Sequence, residues 1–199
     1  MKGFKVILAA ALLMALALVG VPSAGAQMAI TWTTGFQVQN LSATAANVSI
    51  TFYDGATGNA LTPFNAVIAA NASTNFFPLD GGAGRPSVPA GFSGSAVISS
   101  DQPVAAILNI LGNGTAYGGS ASGISAGSTT VGLPLIQKNN GGFQTWFSLQ
   151  NAGSTNATVS VAFKPRDAAS GSAFTVSNLT VKPGAAITLD TTSAQLAGL

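Results

Sequence analysis

Hydrophobic and polar residues alternate along several short stretches of this chain, most clearly over residues 47–53. Val48, Ile50 and Phe52 occupy every second position there, and polar residues stand between them. Because successive side chains of a β-strand point to opposite faces, this pattern predicts a strand with one buried and one solvated face. Further strands are predicted over residues 64–69, 74–79, 92–99, 104–111 and 130–136.

Turn-forming residues separate these stretches. Asp54-Gly55 follows the first stretch, and Asp101-Gln102-Pro103 precedes another, as expected for residues that favour tight turns. Residues 112–127 are rich in Gly and Ser and indicate a long loop with one short strand near Tyr117. No helical period occurs after residue 26. Short strands at roughly ten-residue spacing predict an all-β chain built as a β-sandwich.

The pattern of strands occurs twice in the sequence. Phe36-Gln37-Val38-Gln39-Asn40 returns as Phe147-Ser148-Leu149-Gln150-Asn151, and the alternating stretch at 48–52 returns at 159–163. A repeated order of strands indicates a repeated supersecondary unit. We therefore expect one β-sandwich module over residues 27–128 and a second over residues 129–199.

The second predicted module is incomplete. It has no counterpart of the apolar stretches at 92–99 and 104–111. A remnant of four strands exposes apolar faces and unpaired strand edges to water. Two interpretations remain open: the chain is part of a longer tandem array, or another chain completes the second module by strand addition.

The first 26 residues have the features of a secretory signal peptide. Lys2 and Lys5 precede an apolar run at 6–21, and Ala24-Gly25-Ala26 has the small-residue pattern that signal peptidases cleave. The apolar run is shorter than the roughly 20 residues that span a bilayer, which favours a cleaved peptide over a membrane anchor. We expect the mature chain to begin at Gln27, to be secreted, and to have no membrane insertion.

Removal of the leader also removes the positive net charge of +2. The charged residues that remain are Arg85, Lys138, Lys164, Arg166 and Lys182 against Asp54, Asp80, Asp101, Asp167 and Asp190. A neutral chain offers no basic face for nucleic acid or acidic lipid. Charged residues make up only 6% of the sequence, compared with about a quarter in ordinary soluble domains. Solubility is expected to depend on Ser, Thr, Asn, Gln and Gly.

The absent residue types limit the chemistry of the chain. The sequence contains no His, no Cys and no Glu, which excludes Ser-His-Asp and Cys-His nucleophiles and the usual zinc ligands. Two aspartates could act as a glycosidase pair. However, Asp54 and Asp167 follow corresponding strands, and Asp80 and Asp190 both occur in Leu-Asp phrases, which favours structural roles. We expect no enzymatic activity, no cofactor and no metal site.

Aromatic residues offer the one candidate binding site. Trp32, Trp146, Tyr53 and Tyr117 could together form a platform for sugar rings, because aromatic side chains stack well on apolar surfaces and carry polar groups at their edges. The alternative is that Trp146 packs in the core beside Phe147. Both interpretations remain open from the sequence.

Four phrases resemble a known class of modules: Phe36-Gln37-Val38-Gln39-Asn40-Leu41, Val88-Pro89-Ala90-Gly91-Phe92-Ser93-Gly94-Ser95-Ala96-Val97, Gln102-Pro103-Val104-Ala105-Ala106-Ile107 and Gly141-Gly142-Phe143-Gln144-Thr145-Trp146-Phe147. They are similar to the tandem immunoglobulin-like modules of bacterial secreted and cell-surface proteins. The resemblance covers most of the mature chain and includes no catalytic signature. It implies a spacer, an adhesive stalk or a building block of a surface layer.

The expected function is therefore that of a secreted, non-enzymatic structural or adhesion module of a bacterial cell surface or extracellular matrix. One alternative is a carbohydrate-binding β-sandwich that uses exposed aromatic residues. Another is a self-assembling filament or surface-layer subunit formed by strand addition. The expected partners are other copies of the chain, neighbouring surface proteins or an extracellular glycan, and not nucleic acid.

Overall fold

A computed structural model describes residues 32–78, 84–112, 117–167 and 170–199. The expected signal peptide and Asp80 lie outside the described residues. Residues Trp32–Leu199 form one compact unit. In the described part of the chain, no helix is long and apolar enough to cross a bilayer.

The regular secondary structure of the described residues consists of antiparallel β-strands apart from a short 3-10 segment, which confirms the predicted all-β class. A short 3-10 helix, Ala194–Leu196, follows the last strand. The strands are β1 Trp32–Asn40, β2 Ala46–Asp54, β3 Phe64–Ile68, β4 Ser73–Phe76, β5 Gly94–Ser100, β6 Val104–Gly112, β7 Tyr117–Ser122, β8 Lys138–Asn140, β9 Phe143–Gln144, β10 Trp146–Gln150, β11 Ala157–Phe163, β12 Phe174–Val181 and β13 Ala186–Asp190.

The first half of the described chain, residues 32–122, contains two sheets. One has the strand order β4-β1-β6-β7 and the other has the order β3-β2-β5. Apolar residues from both sheets form one buried cluster, in which Val38 and Ile50 are fully buried. The alternation in the sequence of β2 is confirmed, since Val48, Ile50 and Phe52 point into this cluster. This arrangement is consistent with a β-sandwich.

The second half, residues 138–199, contains three two-stranded sheets: β10-β13, β11-β12 and β8-β9. A smaller buried cluster, centred on Phe163, Leu189 and Leu196, includes apolar residues of the β10-β13 and β11-β12 sheets. The pairing of β10 with β13 sets Phe147 opposite Leu189. In the first half, Phe36 lies opposite Phe76 in the same way.

The prediction of a strand over residues 130–136 is wrong. These residues form no β-ladder. Val131 and Leu135 alternate with other residues, but each of them is 68% exposed. Gly132 and Pro134 interrupt this stretch. Pro lacks the N–H group that a ladder needs, and Gly loses much conformational entropy in a strand. The short strand expected near Tyr117 is confirmed as β7.

Two asparagines fasten the ends of β1 and β10 through matching hydrogen bonds. The side-chain N–H groups of Asn40 donate to the carbonyl oxygens of Thr44, Ile68 and Ala69 at 2.7 to 3.1 Å, and its Oδ1 accepts from Ser42 N. The Asn151 side chain donates to the carbonyl oxygens of Thr155 and Val181 and accepts from Gly153 N. Both side chains are buried. Each therefore ties its strand end to the neighbouring loop and to the end of the strand β3 or β12.

Candidate functional site

Several strand ends of the first half meet at one end of its two sheets. The short link 41–45 joins β1 to β2, so β1 begins at the end where β2 finishes. β5 runs antiparallel to β2 and pairs Gly94 with Asp54, so it begins at that end as well. β6 finishes there, because Gly112 pairs with Trp32. We call this end of the first half the junction end.

The outer face of the β10-β13 sheet lies against the junction end. Gln150 Nε2 donates to the carbonyl oxygens of Ala96, at 3.3 Å, and Gly184, at 2.9 Å. Ser95 Oγ donates to the same Gly184 oxygen at 2.9 Å. Lys182 Nζ donates to the Thr57 carbonyl oxygen at 2.5 Å. These hydrogen bonds fasten the second half to β5 and to the turn after β2.

The ring of Tyr53 adds a close packing contact to this junction. Gly184 has a φ of +74°, and a Cβ atom added to it would lie 2.3 Å from Tyr53 Cζ. The main chain at Gly184 therefore approaches the tyrosine ring more closely than any other residue type allows. Tyr53 thus serves as a packing surface between the two halves.

A cleft of about 310 Å³ opens in the junction. Its lining is polar and comes from both halves: Asp54, Gly55, Ala56, Gly91, Ser93, Gly94, Ala186 and Thr188. The Asp54 carboxylate accepts hydrogen bonds from Thr57 N and Thr57 Oγ1, each at 2.8 Å. These two bonds, the backbone one first, hold the pKa of Asp54 below its ordinary value. The cleft consequently presents an ionised carboxylate beside hydroxyl and main-chain groups.

The structure brings Trp32 and Trp146 together. Their ring centroids lie 6.3 Å apart, and the rings meet edge to face at 61°. Trp32 is 45% exposed and Trp146 is 46% exposed. The alternative in which Trp146 packs in the core is wrong, because Phe147 occupies the core position and Trp146 lies on the outer face.

Polar residues continue the outer face of β10 and β13 next to the tryptophans. Asp190 lies opposite Trp146, and Ser148 lies opposite Thr188, with their hydroxyl oxygens 2.8 Å apart. Thr188 also lines the cleft. An aromatic pair beside a carboxylate and hydroxyls on one sheet face has a composition that suits sugar binding. The sequence alone could not reveal this set, because it depends on which residues of β10 and β13 face each other.

The two tyrosines predicted for the same platform have different positions. Tyr53 lies in the junction, where its ring packs on Gly184. The backbone of Tyr117 pairs with Gly112, which pairs on its other side with Trp32. Trp32 and Tyr117 therefore lie on the same rung of the sheet, two strands apart.

The aspartates that follow β2 and β11 form equivalent turns. Asp54 accepts from the backbone N–H and hydroxyl of Thr57, and Asp167 accepts from the backbone N–H and hydroxyl of Ser170. Such bonds to residue i+3 stabilise turns. Among the described residues, no three His, Cys, Asp or Glu side chains cluster as a metal site would require.

No protein-family model, curated protein or solved structure matches this chain.

Proposed function

We propose that this protein is a secreted, non-enzymatic structural or adhesion module of a bacterial cell surface or extracellular matrix. It consists of two copies of an immunoglobulin-like β-sandwich module, the second of them incomplete. The observation that carries the proposal is the junction, in which the second half is hydrogen-bonded directly to the end of the first. Modules that are hydrogen-bonded to each other transmit position and force along a chain, which is what a spacer or stalk requires.

The matching local structures support the view that one module is used twice. Asn40 and Asn151 make the same kinds of hydrogen bonds at the ends of β1 and β10. Asp54 and Asp167 make the same turn after β2 and β11. Equivalent bonds at equivalent strand ends are expected of duplicated modules, because each copy has to close the same loops.

We expect the protein to be recovered outside the cytoplasm with Gln27 as its first residue. Intact mass spectrometry of the protein from surface and medium fractions of its host measures this end directly. The control replaces Ala24 and Ala26 by Phe, which removes the small residues that signal peptidases need and should leave residues 1–26 attached. Wild-type protein found in the cytoplasm with its leader intact would contradict the proposal.

Surface exposure is tested on intact cells by brief digestion with an added protease. A surface module is expected to be degraded while a cytoplasmic marker protein stays intact. Purified protein that hydrolyses a polysaccharide or peptide by itself would show that the non-enzymatic assignment is wrong.

A second candidate function is carbohydrate binding, which the Trp32–Trp146 pair specifically favours. Both rings are about half exposed and lie next to hydroxyl and carboxylate groups of β10 and β13. Sugar rings bind to such sites through stacking on the aromatic faces and hydrogen bonds to the polar groups. An adhesion module that binds glycan on this face would combine both functions.

The double substitution Trp32→Ala and Trp146→Ala is expected to abolish any glycan binding detected on a glycan array. Each ring is expected to contribute roughly 1 kcal/mol, so that the pair accounts for at least a tenfold change in Kd. Phe143→Ala is the matched control, because Phe143 is an exposed aromatic residue, 65% accessible, on the neighbouring strand β9. Binding that survives the double substitution would place the glycan site elsewhere.

A further inference from the structure

The second half leaves two strand edges without partners in the described residues. β10 pairs with β13 alone, and β11 pairs with β12 alone. Their counterparts in the first half are paired on both sides: β1 lies between β4 and β6, and β2 lies between β3 and β5. An unpaired edge displays a row of N–H and C=O groups that can bind another strand.

The inner faces of β10 and β11 are also less covered than those of their counterparts. In the first half, Val38 and Ile50 are completely buried. The corresponding Leu149 and Val161 are only half-buried, although both pack against the second cluster. The second core therefore lacks the cover that β5 and β6 provide in the first half.

The main chain of β10 points hydrogen-bonding groups at its open edge. Thr191 N donates to Thr145 O, and Asn151 N donates to Ala185 O, so these odd-numbered positions face β13. In an antiparallel strand, alternate residues direct their N–H and C=O groups to opposite neighbours. The groups of Trp146, Ser148 and Gln150 therefore face the open edge.

We propose that the open edges of β10 and β11 bind a β-hairpin of another polypeptide chain, with the sequence pattern of β5 and β6. This inference rests on the proposed duplication of the module. In the first half, β6 pairs with β1 along its whole length and β5 pairs with β2 over seven positions. A strand pair of the same kind fills the equivalent place on β10 and β11 by strand addition.

The first half also defines the chemistry of the hairpin. Residues 94–112 carry one charged side chain, Asp101, and it lies in the turn between the strands. Ala96, Ile98, Val104, Ala106 and Leu108 pack against the core. The partner hairpin is therefore neutral along its strands, apolar on one face and joined by a short turn. The chain's own residues 94–112 are already held by β1 and β2, so they do not occupy the open edges.

The test uses residues 94–112 fused to a soluble carrier protein as the probe, added to the purified protein. Hydrogen exchange followed by mass spectrometry reports the amides of each strand. We expect saturating probe to slow exchange at least about tenfold over residues 145–151 and 157–163, with no change over residues 32–40 and 46–54. Protection confined to the first half would show strand exchange there and overturn the proposal.

One proline substitution in the protein and one in the probe test whether main-chain hydrogen bonds hold the two together. Ser148→Pro removes an N–H at the open edge without touching the β10-β13 ladder, and Ser148→Ala removes only the hydroxyl. We expect Ser148→Pro to weaken probe binding by at least about tenfold and Ser148→Ala by less than about twofold. Ile107 faces β1 in the first half, so Ile107→Pro in the probe should have the same effect as Ser148→Pro and leaves the target protein unchanged.

The outcomes separate this inference from the proposed function. No protection by wild-type probe at millimolar concentration, or equal binding by the Ile107→Pro probe, overturns the strand-acceptor proposal. Main-chain amides of Trp146, Ser148 and Gln150 that are already protected in the free protein would also overturn it, because the chain would then cover its own edge. In each case the protein can still be exported and displayed, so the fractionation experiment decides the proposed function independently.

Discussion

Asn40→Ala is expected to lower the free energy of unfolding of the first half by about 3 kcal/mol. The substitution removes the side-chain hydrogen bonds to the carbonyl oxygens of Thr44, Ile68 and Ala69 and the one from the N–H of Ser42. The Asn40 side chain is 0% exposed and its bond to Ile68 O is buried, so water can replace that hydrogen bond only if the loop opens. A buried polar group without a partner typically costs about 1 to 3 kcal/mol, and here several lose their partner at once.

Urea denaturation followed by circular dichroism measures this change. Gln37→Ala is the matched control, because Gln37 lies on the same strand and bonds only to the exposed Asn75. We expect the control to change stability by less than about 0.5 kcal/mol. Asn151→Ala should destabilise the second half by about 2 kcal/mol, since its side chain makes fewer bonds. A loss below about 1 kcal/mol for Asn40→Ala would mean that the hydrogen bonds of the Asn40 side chain are not important for stability.

Gly184→Ala is expected to disrupt the junction and to cost about 3 kcal/mol of stability in the second half. Two effects add. The positive φ of +74° is unfavourable for alanine, and the new Cβ would lie 2.3 Å from the ring of Tyr53. Because the clash is with a half-buried ring, the two halves have to separate or the backbone has to move.

The control for Gly184→Ala is Gly142→Ala. Gly142 has a φ of +85°, but nothing lies within 4 Å of the added Cβ, so only the backbone strain of about 1 kcal/mol is expected. Thermal unfolding gives the stability of both variants, and small-angle X-ray scattering shows whether the halves separate. Tyr53→Ala combined with Gly184→Ala should recover the part of the loss that comes from the clash. Equal losses for the two glycine variants would show that the Tyr53 contact does not hold the junction.

The sequence predicted most of the strands of the first half because their burial follows local alternation. Val48, Ile50 and Phe52 alternate with polar residues, and the structure buries all three. The same rule failed at residues 130–136, where Val131, Leu133 and Leu135 also alternate but form no ladder. Alternation reports the two faces of a strand, whereas a ladder depends on a neighbouring edge that local sequence does not specify.

The candidate site was predictable in part for a similar reason. Trp32 and Trp146 begin the two strands that contain the repeated phrase, so the sequence indicated both as candidates. Their contact arises from the way that β10 lies against the junction end, which no local pattern encodes. The roles of Tyr53 and Gly184 were not predictable either, because their contact joins residues from the two halves. The sequence thus indicated the residue types of the site, and tertiary packing selected which of them meet.

The direction of β7 has a mechanical consequence. β6 ends at the junction end, and the antiparallel β7 then carries the chain away from it, so residues 123–137 have to run back before the second half begins. Fully extended, this return segment could span roughly 50 Å. Tension along the chain would first break the few hydrogen bonds of the junction and then straighten the return segment. The protein would lengthen under load in this way while the β-ladders of both halves stay intact.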